Sequence, residues 1–347
     1  MSRSFILALL LYSASGLRLP FLRRRSDGSK SLDERATAEA ATPAGAKKLA
    51  QIRTILADAP FVSSVTRTLA SDDDAAAATA TERAAIAAAR AALPDDAWVA
   101  SRTDDELLPF ARAAGSDDLV ERLAETSAWR AQNLPDAADR SWELSRFFAA
   151  NEGSFAESDE LGARPFLEWV RPDDGDSESE PALRLDGASL IVLRPGRHRV
   201  GAIEAERWLK LISWQGERAT TTWARAAGGE GGRVEGRGAV SLIVDRTGAG
   251  LRNQDPALLR RLLPALTRHY PYSLHRAYVA PVNVVFWAIW SVAKALLPAK
   301  VTARFTLLSG DDWRAALTEE IRETCGSAVA SAVAPRIGPV EETGSVA

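Results

Sequence analysis

Residues 276–298 constrain the fold more strongly than any other part of the chain. This segment has no charged residue between Arg276 and Lys294, and it contains two tryptophans, one phenylalanine and several valines. Elsewhere the sequence is rich in charge, with 26% charged residues overall. An apolar concentration of this kind can be a membrane span, a buried helix or a surface that contacts lipid.

A membrane span is excluded by the length and setting of the segment. The pattern predicts a short strand and then a helix that begins at Pro281, because proline is tolerated at the first helical position. The remaining residues, 282–297, are fewer than the roughly 20 that a span requires. They lie between two predicted strands and are interrupted by Asn283, Ser291 and Lys294. A helix this apolar is either enclosed on all sides or exposes apolar surface for a purpose, and periodicity leaves both open.

The surrounding sequence predicts an α/β domain. Short runs with β-branched residues occur at 188–194 and 239–245, a further strand is predicted at 303–309, and helical patterns occupy 202–213 and 256–270. Strands separated by helical connections indicate a largely parallel sheet.

A small all-helical subdomain is predicted before the sheet. Thr103 and Glu106 form a capping box, in which each side chain satisfies a backbone donor at a helix start. Two amphipathic patterns follow it. The alanine-rich stretch before Arg102 has few large apolar residues, so it is interpreted as loosely docked helices or linker. The tail after Gly326 has little to pack and is predicted to be flexible.

The N-terminus carries targeting features. Arg3 precedes an apolar run and small residues reach Gly16, a pattern typical of a secretory signal peptide. The basic, serine-containing stretch that follows has the composition of a transit segment. These features predict passage into the secretory pathway and, in one reading, onward import into a plastid. A plain signal peptide, or a disordered basic arm on a cytoplasmic peripheral membrane protein, remains open.

The sequence offers no set of catalytic or metal-binding residues. Cys325 is the single cysteine, so a disulfide or a paired-cysteine metal site is excluded. His269 and His275 have no acidic or cysteine cluster beside them, and His198 is interpreted as a loop residue or hydrogen-bonding partner. No Gly-x-Ser-x-Gly elbow precedes Asp245. With a net charge of −3, nothing indicates a nucleic-acid partner. We therefore expect no enzyme activity, no metal and no cofactor.

Residues 102–321 resemble the CRAL-TRIO family of lipid-binding and lipid-transfer proteins. The resemblance rests on Trp129–Arg130 at the end of the helical region, on "SLIVDRTGAG" (241–250), and on Tyr270–Pro271. After that pair come a short strand, a proline-led apolar helix and a closing strand. It implies an α/β fold with a CRAL-TRIO-like mixed β-sheet, flanked by helices that include an apolar gate helix, and preceded by the small all-helical subdomain.

The resemblance also implies a pocket that holds one lipid-like molecule, either a phospholipid or an isoprenoid-like compound, in a monomer that meets membranes transiently. The gate helix would close the pocket and open at a membrane surface. The implied lipid-contacting residues are Leu242, Val244, Tyr270, Val282, Val285, Phe286, Ile289, Trp290, Leu297 and Phe305. Arg304 matches the position that contacts the head group, and Trp287 and Trp290 would contact the membrane.

Departures from the family pattern leave the ligand open. Val301 stands where phosphoinositide-transferring members have a hydroxyl residue, and Arg261 where an acidic residue is expected. A neutral apolar cargo or another phospholipid is therefore equally compatible, and a scaffold with a collapsed pocket is the alternative function. The predicted division of the chain is 1–16 signal peptide, 17–45 transit-like segment, 46–101 alanine-rich region, 102–150 helical subdomain, 182–325 lipid-binding domain and 326–347 flexible tail.

Overall fold

The structure is a computed structural model that describes residues 42–43, 47, 50, 78–114, 118–134, 166–170, 184–185, 188–201, 204–210, 213, 240–250, 253–271, 274–282, 286–287, 290 and 302–338. The predicted signal peptide and nearly all of the transit-like segment lie outside these residues.

Four helices form the N-terminal subdomain: α1 (Ala80–Ala92), α2 (Ala97–Ala100), α3 (Asp104–Ala114) and α4 (Leu119–Asn133). The predicted capping box is confirmed, since the Thr103 amide donates to Glu106 and the Glu106 amide donates to Thr103. A buried core shared by these helices includes Ile86, Leu107 and Leu123.

The interpretation of the alanine-rich region as loosely docked or linker is wrong for α1. Ile86 and Ala89 are fully buried in the core of the subdomain. The Arg90 guanidinium donates to the carbonyls of Val99 and Arg102 and pairs with Asp104. Small alanine side chains let the helix approach closely, so it docks through a single large apolar side chain, Ile86, and the hydrogen bonds of the half-buried Arg90. The helical subdomain therefore begins near residue 78 and not at 102.

A mixed sheet forms the second part of the molecule. Its strands are β1 (Leu167–Trp169), β2 (Arg184–Leu185), β3 (Ala188–Leu193), β4 (Val240–Asp245), β5 (Leu274–Ala280) and β6 (Phe305–Leu307). The order is β1-β3-β4-β5-β6, with β2 also paired to β3. Strands β3 to β6 run parallel, whereas β1 and β2 are antiparallel to β3. The predicted α/β fold with a mixed sheet and a preceding helical subdomain is confirmed.

Helices α5 (Pro256–His269), α6 (Trp313–Cys325) and α7 (Ser327–Val333) flank the sheet. One sheet face, termed the covered face, packs against α6 and α7. Its strand residues are Leu190, Val192, Ile243, Tyr278 and Ala280, and the helices contribute Trp313, Leu317, Ile321, Val329 and Val333.

The prediction of a flexible tail from residue 326 is wrong for residues 327–338. Helix α7 and Ile337 are part of the buried core on the covered face. The Gly338 amide donates to the Asp245 carboxylate over 2.8 Å, and the Arg336 side chain donates to Glu168 over 3.0 Å. The alanine and valine residues of α7 give a weak apolar signal in the sequence. Their small size nevertheless lets the helix pack closely beside α6 on the covered face.

Helices α4 and α5 join the helical subdomain to the sheet. The His269 ring stacks on Trp129 with 4.5 Å between centroids, and its Nδ1 lies 3.1 Å from the Thr126 hydroxyl. Arg268 pairs with Glu125 at 2.5 Å. Burial lowers the pKa of His269 from 6.5, and the positive charges of Arg130, Arg268 and Arg122 act in the same direction; together they bring it to about 3.

This joint predicts a loss of stability in mild acid. The unfolded chain binds a proton at His269 near pH 6.5, whereas the folded chain does so only near pH 3. Stability is therefore unaffected above pH 6.5 and falls as the pH drops through the window between those values. We expect this residue to contribute up to about 1 kcal/mol per pH unit. Urea unfolding at pH 7 and pH 5 should show a smaller difference for His269→Gln than for the unmodified chain; an identical difference would contradict the assignment.

Candidate lipid-binding site

The second face of the sheet, termed the floor, is lined by apolar side chains. Because side chains alternate along a strand and the strands are in parallel register, the residues that do not face α6 share this surface. Ile191, Leu242 and Ala277 stand in one row, and Leu193, Val244 and Val279 in another. Phe305 and Leu307 extend the two rows onto β6. The floor residues of the three inner strands are buried.

Residues 282–297 are termed the lid segment; of these the structure describes 282, 286, 287 and 290, and the last of them lies against this floor. Trp290 is buried and its ring packs on Phe305, with 5.1 Å between centroids. Phe286 is fully buried, whereas Trp287 is 43% exposed. Neighbouring positions of one segment thus point in opposite directions, with Phe286 turned inward and Trp287 turned to the surface.

The lid segment does not begin as predicted. Pro281 and Val282 are not helical, and the Val282 amide donates to the Leu308 carbonyl over 2.8 Å. The sheet pairing therefore continues past the proline, and helix appears only at residues 286–287 and 290 within the described part of the lid segment. Proline at the first helical position was the wrong interpretation, because the following amide is used by the sheet.

A buried cation, Arg246, stands at the end of the floor where the parallel strands finish. Its amide donates to the Ala280 carbonyl over 2.6 Å, so the pairing of β4 with β5 extends one residue beyond Asp245. The guanidinium lies 4.7 Å from the centre of the Phe286 ring. Sequence reasoning missed Arg246, although strand alternation after Val244 indicates that it shares the floor.

Arg304, the predicted head-group residue, lies at the opposite end of the sheet, where β5 and β6 start. Its guanidinium donates to the Leu274 carbonyl over 2.6 Å, at the start of β5. Burial lowers its pKa. The seven residues of β5 separate the two arginines by roughly 20 Å, at about 3.3 Å per residue.

The turn after β4 is braced from both sides. Asp245 accepts from the Thr247 amide over 3.0 Å and so holds the start of this turn. Asn253 accepts from the Gly250 amide, and its own amide group donates to the carbonyls of Gly196 and His198. These hydrogen bonds brace the residues that follow Arg246.

His198 and Asp255 form a buried pair beside this turn. Nε2 of His198 lies 3.1 Å from the Asp255 carboxylate, which also accepts the amides of Ala257 and Leu258. Burial raises the pKa of Asp255, but the hydrogen bonds from His198 and these amides outweigh it and leave the pKa below its usual value. The interpretation of His198 as a hydrogen-bonding partner is confirmed.

Tyr270 packs where the helical subdomain meets the sheet. Its ring contacts Trp129 edge-on at 5.8 Å and lies 5.4 Å from the Arg130 guanidinium, while its hydroxyl donates to the Ser213 carbonyl. These contacts give the residue a structural role in positioning α4. Its contact with lipid stays a prediction.

The structure brings most of the predicted site residues together. Leu242, Val244 and Phe305 are on the floor, and Phe286 and Trp290 of the lid segment are buried. Val282 is buried at the end of β5. Val285, Ile289 and Leu297 lie outside the described side chains. Trp290, predicted also to contact membrane, is only 5% exposed, so that contact requires the lid segment to move; Trp287 reaches the surface without movement.

Two other features of the described residues bear on the kind of site. No helix in that part of the chain has the length and apolar character to cross a membrane. Across the same residues, no group of three or more His, Cys, Asp or Glu side chains is placed to hold a metal ion.

Helices cover one face of the mixed sheet, and hydrophobic residues of the lid segment lie over the apolar floor on the other face. The protein is therefore an α/β protein with a covered apolar site. Residues 185–326 match the sequence model of the CRAL/TRIO domain. The chain therefore contains a CRAL/TRIO domain, a class that is typically lipid-binding or lipid-transferring and mostly non-catalytic. The predicted lipid-binding domain, 182–325, has nearly the same bounds as this match.

Other comparisons add less. No curated protein matches the chain. Among solved structures, the chain is similar to the one described as "Crystal structure of Sfh5", with a TM-score of 0.42 and 11% identity over 68% of this chain and 83% of that one. At that level the likeness carries no argument about function.

Proposed function

We propose that this protein binds a lipid-like molecule between the floor and the lid segment and transfers it between membranes without catalysing a reaction. The observation that carries the proposal is the placement of Trp290 against Phe305 beside an exposed Trp287. One short segment thus closes on the apolar floor and also presents an aromatic ring to the surroundings.

The buried Trp290 and the exposed Trp287 suit two different apolar environments, a lipid-binding cleft and a membrane interface. Aliphatic chains leave water favourably when they enter an apolar cleft, by about 25 cal/mol per Å² of buried surface. Tryptophan has a preference for the membrane interface. With Trp287 at its surface, the lid segment would bind the membrane interface. Displacement of the lid segment would then break the contact of Trp290 with Phe305 and expose the floor to lipid.

Transfer can be measured directly. Donor vesicles that contain a self-quenched fluorescent phospholipid or isoprenoid are mixed with acceptor vesicles and the purified protein. We expect the rate of dequenching to rise in proportion to protein concentration. A rate equal to the protein-free rate with every probe would contradict the transfer function.

A scaffold that uses the same fold with a collapsed site is the second candidate. The direct contact of Trp290 with Phe305 favours it, because these two rings occupy part of the space over the floor. The two candidates differ in outcome: a scaffold takes up no probe in the vesicle assay and leaves purification without lipid.

A further inference from the structure

We propose that Arg246 receives the anionic end of the bound lipid. The ligand class is then an aliphatic chain that ends in a carboxylate or phosphate. This inference rests on the proposed function and specifies the ligand of that same site. It orients the ligand with its acidic end at the finishing ends of the strands, opposite to Arg304.

Strand geometry places Arg246 at the floor. Val244 is a floor residue, and the Asp245 side chain points to the covered face, where it accepts the Gly338 amide. The hydrogen bond of the Arg246 amide to Ala280 continues the strand, so the next side chain returns to the floor. Arg246 thus follows Leu242 and Val244 on the same face of β4, and places a positive charge at the end of an apolar surface.

Burial of the Arg246 guanidinium strengthens its electrostatic attraction for an anion. Arg246 is only 3% exposed, and arginine stays protonated in proteins. A charge-assisted hydrogen bond between a guanidinium and an anionic oxygen is about twice as strong as a neutral one. Water screens it little when the pair is buried.

The contact with Phe286 is compatible with an anion at the same guanidinium. A guanidinium is planar, with its five N–H donors directed from its edges and its faces free to stack on a ring. Because Phe286 lies over the guanidinium at 4.7 Å, a ring contact and an anion at the edge are compatible. The cation would therefore contact the ligand and Phe286 together.

The neighbouring residue supplies a second polar group. Thr247 is 4% exposed, and its hydroxyl has no hydrogen-bond partner among the described residues. A buried hydroxyl without a partner is unusual in proteins, and it can donate to an anionic oxygen. The braced turn fixes the backbone of both residues, as a preorganised site requires.

The test compares ligands that share one chain and differ in the end group. Oleic acid, oleoyl lysophosphatidic acid and oleyl alcohol are titrated into the full-length protein, with quenching of tryptophan fluorescence as the readout. We expect the two acids to bind at least about tenfold more tightly than the alcohol, the factor that one charge-assisted hydrogen bond supplies.

Variants of two arginines show which of them causes the preference for acids over the alcohol. Arg246→Gln should remove the preference for acids and leave alcohol binding unchanged, whereas the matched control Arg304→Gln should keep it. Equal binding of acids and alcohol by the unmodified protein would overturn the inference while leaving lipid binding intact. Loss of the preference in Arg304→Gln alone would overturn it too.

Further outcomes keep the inference separate from the proposed function. If Arg246→Gln does not fold, Arg246→Lys replaces it and should reduce acid binding with alcohol binding unchanged; undiminished acid binding would count against the inference. Inorganic phosphate alone should give no heat in calorimetry, since saturable binding would assign the site to a free anion and overturn the lipid assignment. Failure to bind any of the three lipids would contradict the proposed function itself.

Discussion

Replacing Trp287 with glutamate is expected to lower the rate of lipid transfer between vesicles by about tenfold or more. Withdrawing a tryptophan-sized apolar surface from the interface costs roughly 2 kcal/mol or more at 25 cal/mol per Å², and a charge there adds to the loss. Because Trp287 is 43% exposed, part of its surface is also lost from the fold, so urea unfolding must show that the variant is folded under the conditions of the transfer assay. The vesicle dequenching assay measures the effect.

Val200→Glu is the matched control. Val200 is also 43% exposed and apolar, and it lies outside the lid segment. The same charge at this position should leave transfer near the unmodified rate. Equal losses in the two variants would mean that the lid segment has no special role, and an unchanged rate in Trp287→Glu would contradict membrane contact through this residue. Trp290 is unsuited to this test because glutamate there would disturb the packing on Phe305.

Ending the chain after Gly326 is expected to destabilise the sheet domain by about 5 kcal/mol or more. The deletion exposes part of the covered face by removing Val329, Val333 and Ile337, which are all buried. The loss of their burial costs roughly 1.5–3 kcal/mol per side chain. It also leaves Asp245 without the Gly338 amide. A loss of this size is comparable with the whole stability of many domains.

The matched control ends the chain after Gly338 and keeps every described residue of this segment. The difference in free energy of unfolding between the two truncations, measured in urea, isolates residues 327–338. A difference below about 1 kcal/mol would contradict the packing of α7 on the covered face.

Strong local patterns made most of the fold predictable. The strands β3 and β4 are short, largely apolar runs with β-branched residues, as expected for strands buried on both faces. The order of the Trp–Arg pair, the Asp245 turn and the apolar segment then indicated the domain. The antiparallel strands β1 and β2 were not predicted from the sequence pattern, because two or three residues carry no periodicity.

The errors at helices α1 and α7 share one physical cause. Helix α1 and helix α7 are rich in alanine and small residues, which give a weak hydrophobic signal but permit close packing against an existing core. Arg246 was missed for a different reason: an arginine after a strand normally predicts a solvated loop, and only the pairing with Ala280 shows that the strand continues. Tertiary contacts decide such positions, and they are absent from a single sequence.

Native mass spectrometry of the protein purified without added lipid tests the central claim most directly. Occupation of the space between floor and lid segment predicts one lipid-sized mass per chain, released on denaturation and identified by extraction. The inference at Arg246 adds that this lipid is acidic. A protein that emerges without lipid, and that takes up neither fluorescent phospholipid nor isoprenoid, would contradict lipid binding and leave the scaffold as the account of this fold.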